Sequence, residues 1–200
     1  MGTEPPRLLQ IHRETVALGS EKAYHAIETD TAQRCASLRC PHAYLALQAL
    51  AEPYEVWFLN GFKSASEQQL VIDAYRANAR LMAALTGNGQ RKAALTTNPV
   101  SVVASYRADL GRGAPWTLGD GRFLVVTAST TTRTFLGTVF ETPDGMWFDV
   151  RAAATLADAE AARVADPQSR VLAVRPSWSF PAPEWIAADP VFWKGVDRSP

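Results

Sequence analysis

The side chains in this sequence that could do chemistry are few: three histidines, two cysteines and several amides set into apolar runs. His12 lies in LLQIHRETV (8–16), Gln48 in YLALQAL (44–50) and Asn60 in EVWFLNGFK (55–63). An imidazole titrates near neutrality, so His12 is the candidate catalytic base. A lone strand histidine also serves as a structural hydrogen-bonder, and both roles stand. A primary amide in a buried strand must be paired, because an unpaired one costs about 1–3 kcal/mol. Asn60 meets that need in a pocket, by bonding a neighbouring loop, or as part of a bulge beside Gly61.

Other candidates carry less chemistry. Cys35, Cys40 and His42 are soft ligands, but a structural zinc site needs a fourth and none follows, so no metal is expected. The cysteines read as packed free thiols, one on the buried face of a helix and one at its end, since a reducing compartment disfavours a disulfide. GNGQRK (87–92) lacks the spacing and the Lys-Ser/Thr ending of a phosphate loop and reads as a helix C-cap. His25 falls mid-helix among Ala and Glu, where exposure is expected, and no Ser-His-Asp or Cys-His arrangement is visible.

The elements that must position these groups follow from periodicity. Residues 8–16 alternate as a strand; Tyr24, Ile27, Thr31, Cys35 and Leu38 then mark the stripe of a helix opening at Ser20. Strands follow at 44–50 and 55–63. Ser64 and Glu67 have capping-box spacing for a second helix, with Leu70, Ala74, Leu81 and Leu85 as its core stripe, Val71 and Met82 beside them, and Gly87-Asn88-Gly89 as its stop. PVSVVASYR (99–107) is a fourth strand. This β-α-β-β-α-β order is the ferredoxin-like arrangement.

Gly-rich 109–121 reads as a linker. Strands at 122–129, 134–141 and 146–151, a helix from Thr155 and a strand at 170–176 resume the pattern. VWF (56–58) and MWF (146–148) each lead into a capped helix at an offset of 90 residues, which predicts an internal repeat with Trp57 and Trp147 in matching positions. The second copy lacks the first helix. The expected organisation is 1–108 as ferredoxin-like repeat 1, 109–121 as linker, 122–176 as a reduced repeat 2, and 177–200 as an aromatic tail packing over an edge or opening. The fold class is α+β with antiparallel sheets.

Composition narrows the partners. The 200 residues carry 20 basic and 20 acidic side chains, so no basic face for nucleic acid is expected. No apolar stretch is long enough to span a membrane, the first residues do not read as a signal peptide, and Pro6 stands where myristoylation after Gly2 wants Ser or Thr; a cytoplasmic location is expected.

Strand parity groups the polar candidates. Gln10 and His12 share one face of their strand; Tyr44, Ala46 and Gln48 share one of theirs, as do Val56, Phe58, Asn60 and Phe62. Amides and an imidazole among aromatic walls are what a ligand cavity needs, so Gln10, His12, Gln48, Phe58, Asn60 and Phe62 are the candidate binding residues.

On the strand LLQIHRE, the helix from Ser20 and EVWFLNGFKSASE before the second helix, the first 107 residues resemble the dimeric α/β-barrel superfamily, notably antibiotic-biosynthesis-monooxygenase-like proteins. The resemblance implies two ferredoxin-like sheets facing one another around a cavity. It implies a small apolar or aromatic ligand, a cofactor-independent oxygenase as the leading activity, and a homodimer as a candidate assembly. The alternative is a non-enzymatic binding or structural protein of the same fold; a haem enzyme with His12 as axial ligand stands third.

Overall fold

The structure, a computed structural model, describes residues 4–131 and 133–194. Gly2 and the last six residues of the aromatic tail lie outside them.

Eight strands form one antiparallel barrel: β1 (Leu8–Val16), β2 (Leu45–Ala49), β3 (Glu55–Phe62), β4 (Thr96–Tyr106), β5 (Phe123–Ser129), β6 (Thr138–Glu141), β7 (Trp147–Ala153) and β8 (Arg170–Val174). Their order around the barrel is β1-β3-β2-β8-β5-β7-β6-β4, closed within the one chain. The first four strands therefore lie as β4-β1-β3-β2 and the last four as β8-β5-β7-β6. Every strand has two neighbours, so no edge is left for another chain to extend.

The helices lie outside: α1 (Glu21–Leu38), α2 (Ala65–Ala77), α3 (Ala79–Ala93) and α4 (Leu156–Ala165), with the short α5 (Pro183–Ala188) in the tail. No helix among the described residues is long and apolar enough to cross a membrane. Among the described residues no helix joins β5 to β6.

Alternation along each strand puts one set of side chains inside the barrel. Leu9 and Ile11 of β1, Leu45 and Leu47 of β2, Trp57 and Leu59 of β3, and Phe148 and Val150 of β7 are buried in one cluster with residues of the other strands. Trp57 and Phe148 meet edge to face, ring centroids 6.2 Å apart. The middle of the barrel is thus a packed core, as an eight-stranded barrel allows. The expected cavity between two facing sheets is replaced by side chains.

That packing also separates Trp57 and Trp147, which were expected in matching positions. Trp57 points inward and its counterpart in facing is Phe148, while Trp147 points outward onto Phe135. An offset of 91 aligns the inward rings, and it aligns the helix caps too. Ser64 accepts from the amide of Glu67 at the start of α2, and Thr155 accepts from that of Asp158 at the start of α4. Trp is repeated at 90, but a one-residue slip moves every side chain to the other face, so facing is what decides the match.

The long helix expected from Ser64 to Leu85 is two helices. Asn78 breaks it: its side-chain oxygen accepts from Leu81 N at 3.1 Å, and its amide donates to the carbonyl of Leu38 at 3.1 Å. The supposed stop at Gly87-Asn88-Gly89 lies inside α3, where the buried Asn88 amide donates to Asp30 and Thr31 of α1, each at 2.9 Å. Those bonds anchor α3 on α1 and outweigh the poor helix propensity of glycine. Leu70, Ala74 and Met82, placed in the core stripe, are exposed; Leu81 is fully buried.

Cys35 and Cys40, expected as free thiols, form a disulfide. Arg39 caps α1 in the left-handed conformation, φ 58°, and the Cys40 amide returns to the carbonyl of Cys35. This tight reversal carries Cys40 back over Cys35. The tail closes over the Gly-rich 109–121 segment. Trp116, Trp185 and Trp193 join the barrel core, and Gly119, at φ 97°, packs so near Trp185 that a Cβ there would lie 2.6 Å from its ring.

Candidate functional site

Helix α2 buries none of its residues fully, because it rides above the sheet instead of lying on it. The space beneath is a cavity of about 350 Å³ between the outer faces of β1 and β3 and the three helices. Gln10 and His12 enter it from β1, and Phe58, Asn60 and Phe62 from β3. Antiparallel register sets Gln10 opposite Asn60 and His12 opposite Phe58, so the two pairs lie side by side on one face. Val71, Ile72 and Tyr75 of α2 and Leu85 of α3 form the apolar roof.

Gln48 lies outside this cavity. It shares the outer face with the others, but the register pairs it with Val56, two positions away from Phe58 and further from Asn60. Its side-chain oxygen is buried without a hydrogen-bond partner among the described residues. Parity identifies a face, whereas the position along it depends on register.

The pairing of β1 with β3 runs unbroken through Asn60, so there is no bulge there. Gly61 is required instead by Pro6, whose Cβ would come within 2.9 Å of a side chain at that position. Among the described residues the Asn60 and Gln10 amides have no protein hydrogen-bond partner. The Tyr44 hydroxyl, also at the cavity wall, is fully buried and unpaired among them. Burial drives its pKa well above the ordinary tyrosine range, so it is a neutral hydroxyl. Burial likewise pushes Tyr75 up to about 12.

The inner end of the cavity holds a charged cluster that periodicity does not announce. Lys92 of α3 places its ammonium 2.8 Å from Glu14 of β1 and 3.1 Å from Glu28 of α1. Tyr24 donates to Glu14 at 2.6 Å. His12 sits 3.7 Å from the other Glu14 oxygen, and its second ring nitrogen is 2.7 Å from Ser101 Oγ. The ammonium also lies 4.8 Å from the centroid of the Phe58 ring.

The two carboxyls respond to burial differently. Burial alone would raise Glu14, but His12, Lys92 and Tyr24 together hold it at about 2. In Glu28 burial prevails over the attraction of Lys92, and its pKa is raised. Burial would lower Lys92, yet the two carboxylates more than offset this and keep it an ammonium. The Lys92 ammonium is therefore balanced by the Glu14 carboxylate beside the cavity. One sequence signal existed: Glu28 stands one turn after Tyr24, on the same helical face. Lys92 gave none, because a surface Arg-Lys pair and a buried lysine look alike in sequence.

No protein-family model matches this chain, and no curated protein matches it in sequence. It does match solved structures. A protein named as a putative monooxygenase from Fusobacterium nucleatum aligns with TM-score 0.55 and 10% identity, covering 85% of this chain and 93% of that one. A protein of the same designation from Lactobacillus acidophilus aligns with TM-score 0.52 and 10% identity, covering 86% and 94%. At this identity the likeness is one of fold alone.

Proposed function

We propose that this chain is a single-chain barrel of two ferredoxin-like halves, the second without its first helix, that binds a small apolar or aromatic molecule under α2. One observation carries the reading: an apolar-roofed cavity into which Asn60 and Gln10 project without protein partners among the described residues. Such groups orient a ligand that the aromatic walls hold by burial. Cofactor-independent oxygenation is the leading activity, supported by the fold shared with the two proteins named above. In that reaction His12, at the cavity wall and fixed by Ser101 and Glu14, would take the proton from the bound molecule.

Titration with indole and 1-naphthol, followed by calorimetry, tests the binding. Asn60→Leu is expected to weaken binding about tenfold with unchanged thermal unfolding. Loss of stability with unchanged binding would make Asn60 structural and remove the central support. Oxygen uptake with hydroxylated polyaromatic compounds, abolished in His12→Ala, separates an oxygenase from a non-enzymatic binding protein.

A further inference from the structure

A second cavity opens on the other side of the same strands. Where His12 faces the helices, Arg13 must face the barrel interior, and it does so at the end of the core. It lines a space of about 330 Å³ with Trp57, Val126 and Met146 as apolar floor and Ser129, Gln168 and Arg170 around it. Arg170 shares this orientation with Leu172 and Val174, two and four residues along β8, which both belong to the barrel core. Two guanidiniums thus meet at one mouth of the barrel.

Their charges are unevenly matched. Arg170 has a carboxylate 3.4 Å away, Glu55, which also accepts from Trp57 Nε1 at 3.2 Å. Arg13 has no carboxylate within ion-pair distance among the described residues. Its guanidinium instead lies 5.5 Å from the centroid of the Trp57 ring. Trp57 is buried, so this ring fixes the guanidinium over the cavity. With one carboxylate against two guanidiniums, the mouth carries one uncompensated positive charge.

The geometry points to an oxyanion site at this barrel mouth, taking the carboxylate or phosphate of a small molecule whose apolar body rests on Val126 and Met146. A guanidinium presents its donors in a planar fork that matches the two oxygens of such a group. The side-chain amide of Gln168, whose oxygen accepts from Arg133, adds its NH2 at the same rim, while the Ser129 hydroxyl is held by the backbone of Thr131. The space exceeds a bare inorganic ion, and its apolar floor would go unused by one. This site is separate from the cavity under α2, since the sheet itself lies between them.

Calorimetric titration at constant ionic strength, with sodium benzoate and with inorganic phosphate as probes, tests the assignment. Saturable binding of benzoate alone identifies a carboxylate ligand; binding of phosphate identifies a phosphorylated one. Arg13→Met is expected to weaken either at least tenfold, and Arg112→Met, at an exposed arginine, to leave it unchanged. Arg13→Lys keeps the charge and loses the fork, so it should fall between. Should Arg13→Met fail to fold, the side-chain Nε–H resonance of Arg13 in the wild type gives the answer by moving, or not, on adding benzoate. No saturable binding of either probe, equal binding in Arg13→Met, or an unmoved Arg13 resonance overturns the proposal.

Discussion

Replacing Lys92 by methionine should be among the most damaging single changes in this protein, and its cost should depend on pH. The ammonium lies between Glu14 and Glu28, whose side chains are 4% and 2% exposed. Removing one member of a buried ionic group costs about 3–5 kcal/mol, because the charge left behind has neither water nor partner. Lys92 itself is 19% exposed, so water screens part of its interaction and the lower end, about 3 kcal/mol, is expected at pH 7. For a chain of this size that is a fall of about 6–12 °C in Tm. Without the cation both carboxyls rise in pKa. A raised carboxyl contributes its stability below the unfolded value and loses it as pH increases through the folded one. The gap between Lys92→Met and wild type should therefore narrow as pH falls from 7 to 4.5. Adding Glu28→Gln to Lys92→Met should restore part of the loss at pH 7. Urea unfolding at both pH values measures this. A gap below about 1 kcal/mol at pH 7, or one that is the same at pH 4.5, would show that the cluster is not the buried ionic unit described.

Three further expectations concern stability. Glu14 drops from 4.5 to about 2 on folding, so it contributes above pH 4.5 and that contribution vanishes as pH approaches 2; at about 1.4 kcal/mol per unit this is about 3 kcal/mol, and Glu14→Gln should flatten the acid limb of the unfolding curve. Ser64→Ala and Thr155→Ala should each lower stability by about 0.5–2 kcal/mol, since each removes the acceptor of a helix-start amide; an unmoved denaturation midpoint in either would place that helix start elsewhere. Arg39→Gly should raise stability by up to about 1 kcal/mol by relieving a left-handed backbone, whereas Arg39→Val should lower it, read from the same midpoints.

The order of strands and helices in the first half was largely legible because its hydrophobic periods change cleanly from two to 3.6 residues. The capping box at Ser64 and the weaker cap at Thr155 were legible for the same reason, being local. Asn78 shows the limit. An asparagine before a helical run is an N-cap signal, yet only the carbonyl of Leu38, 40 residues earlier, makes it the break between α2 and α3. Leu70 and Met82 were misplaced because a stripe drawn through that break has no single helix to lie on. The disulfide depended on the left-handed turn at Arg39, which a non-glycine residue does not advertise.

The candidate site divides in the same way. Alternation along β1 and β3 determined, from sequence alone, that Gln10 and His12 share a face and that Phe58, Asn60 and Phe62 share one. Tertiary structure decided that the two faces adjoin, that they look toward the helices and not into the barrel, and that Gln48 lies beyond reach. It also decided that Lys92 comes down between Glu14 and Glu28. The reason is one of range. Side-chain direction is set by the backbone of each residue and repeats every second position, so it can be read locally. Register, helix placement and the meeting of charges from β1, α1 and α3 are set by which packing fills the core, and that is a property of the whole chain.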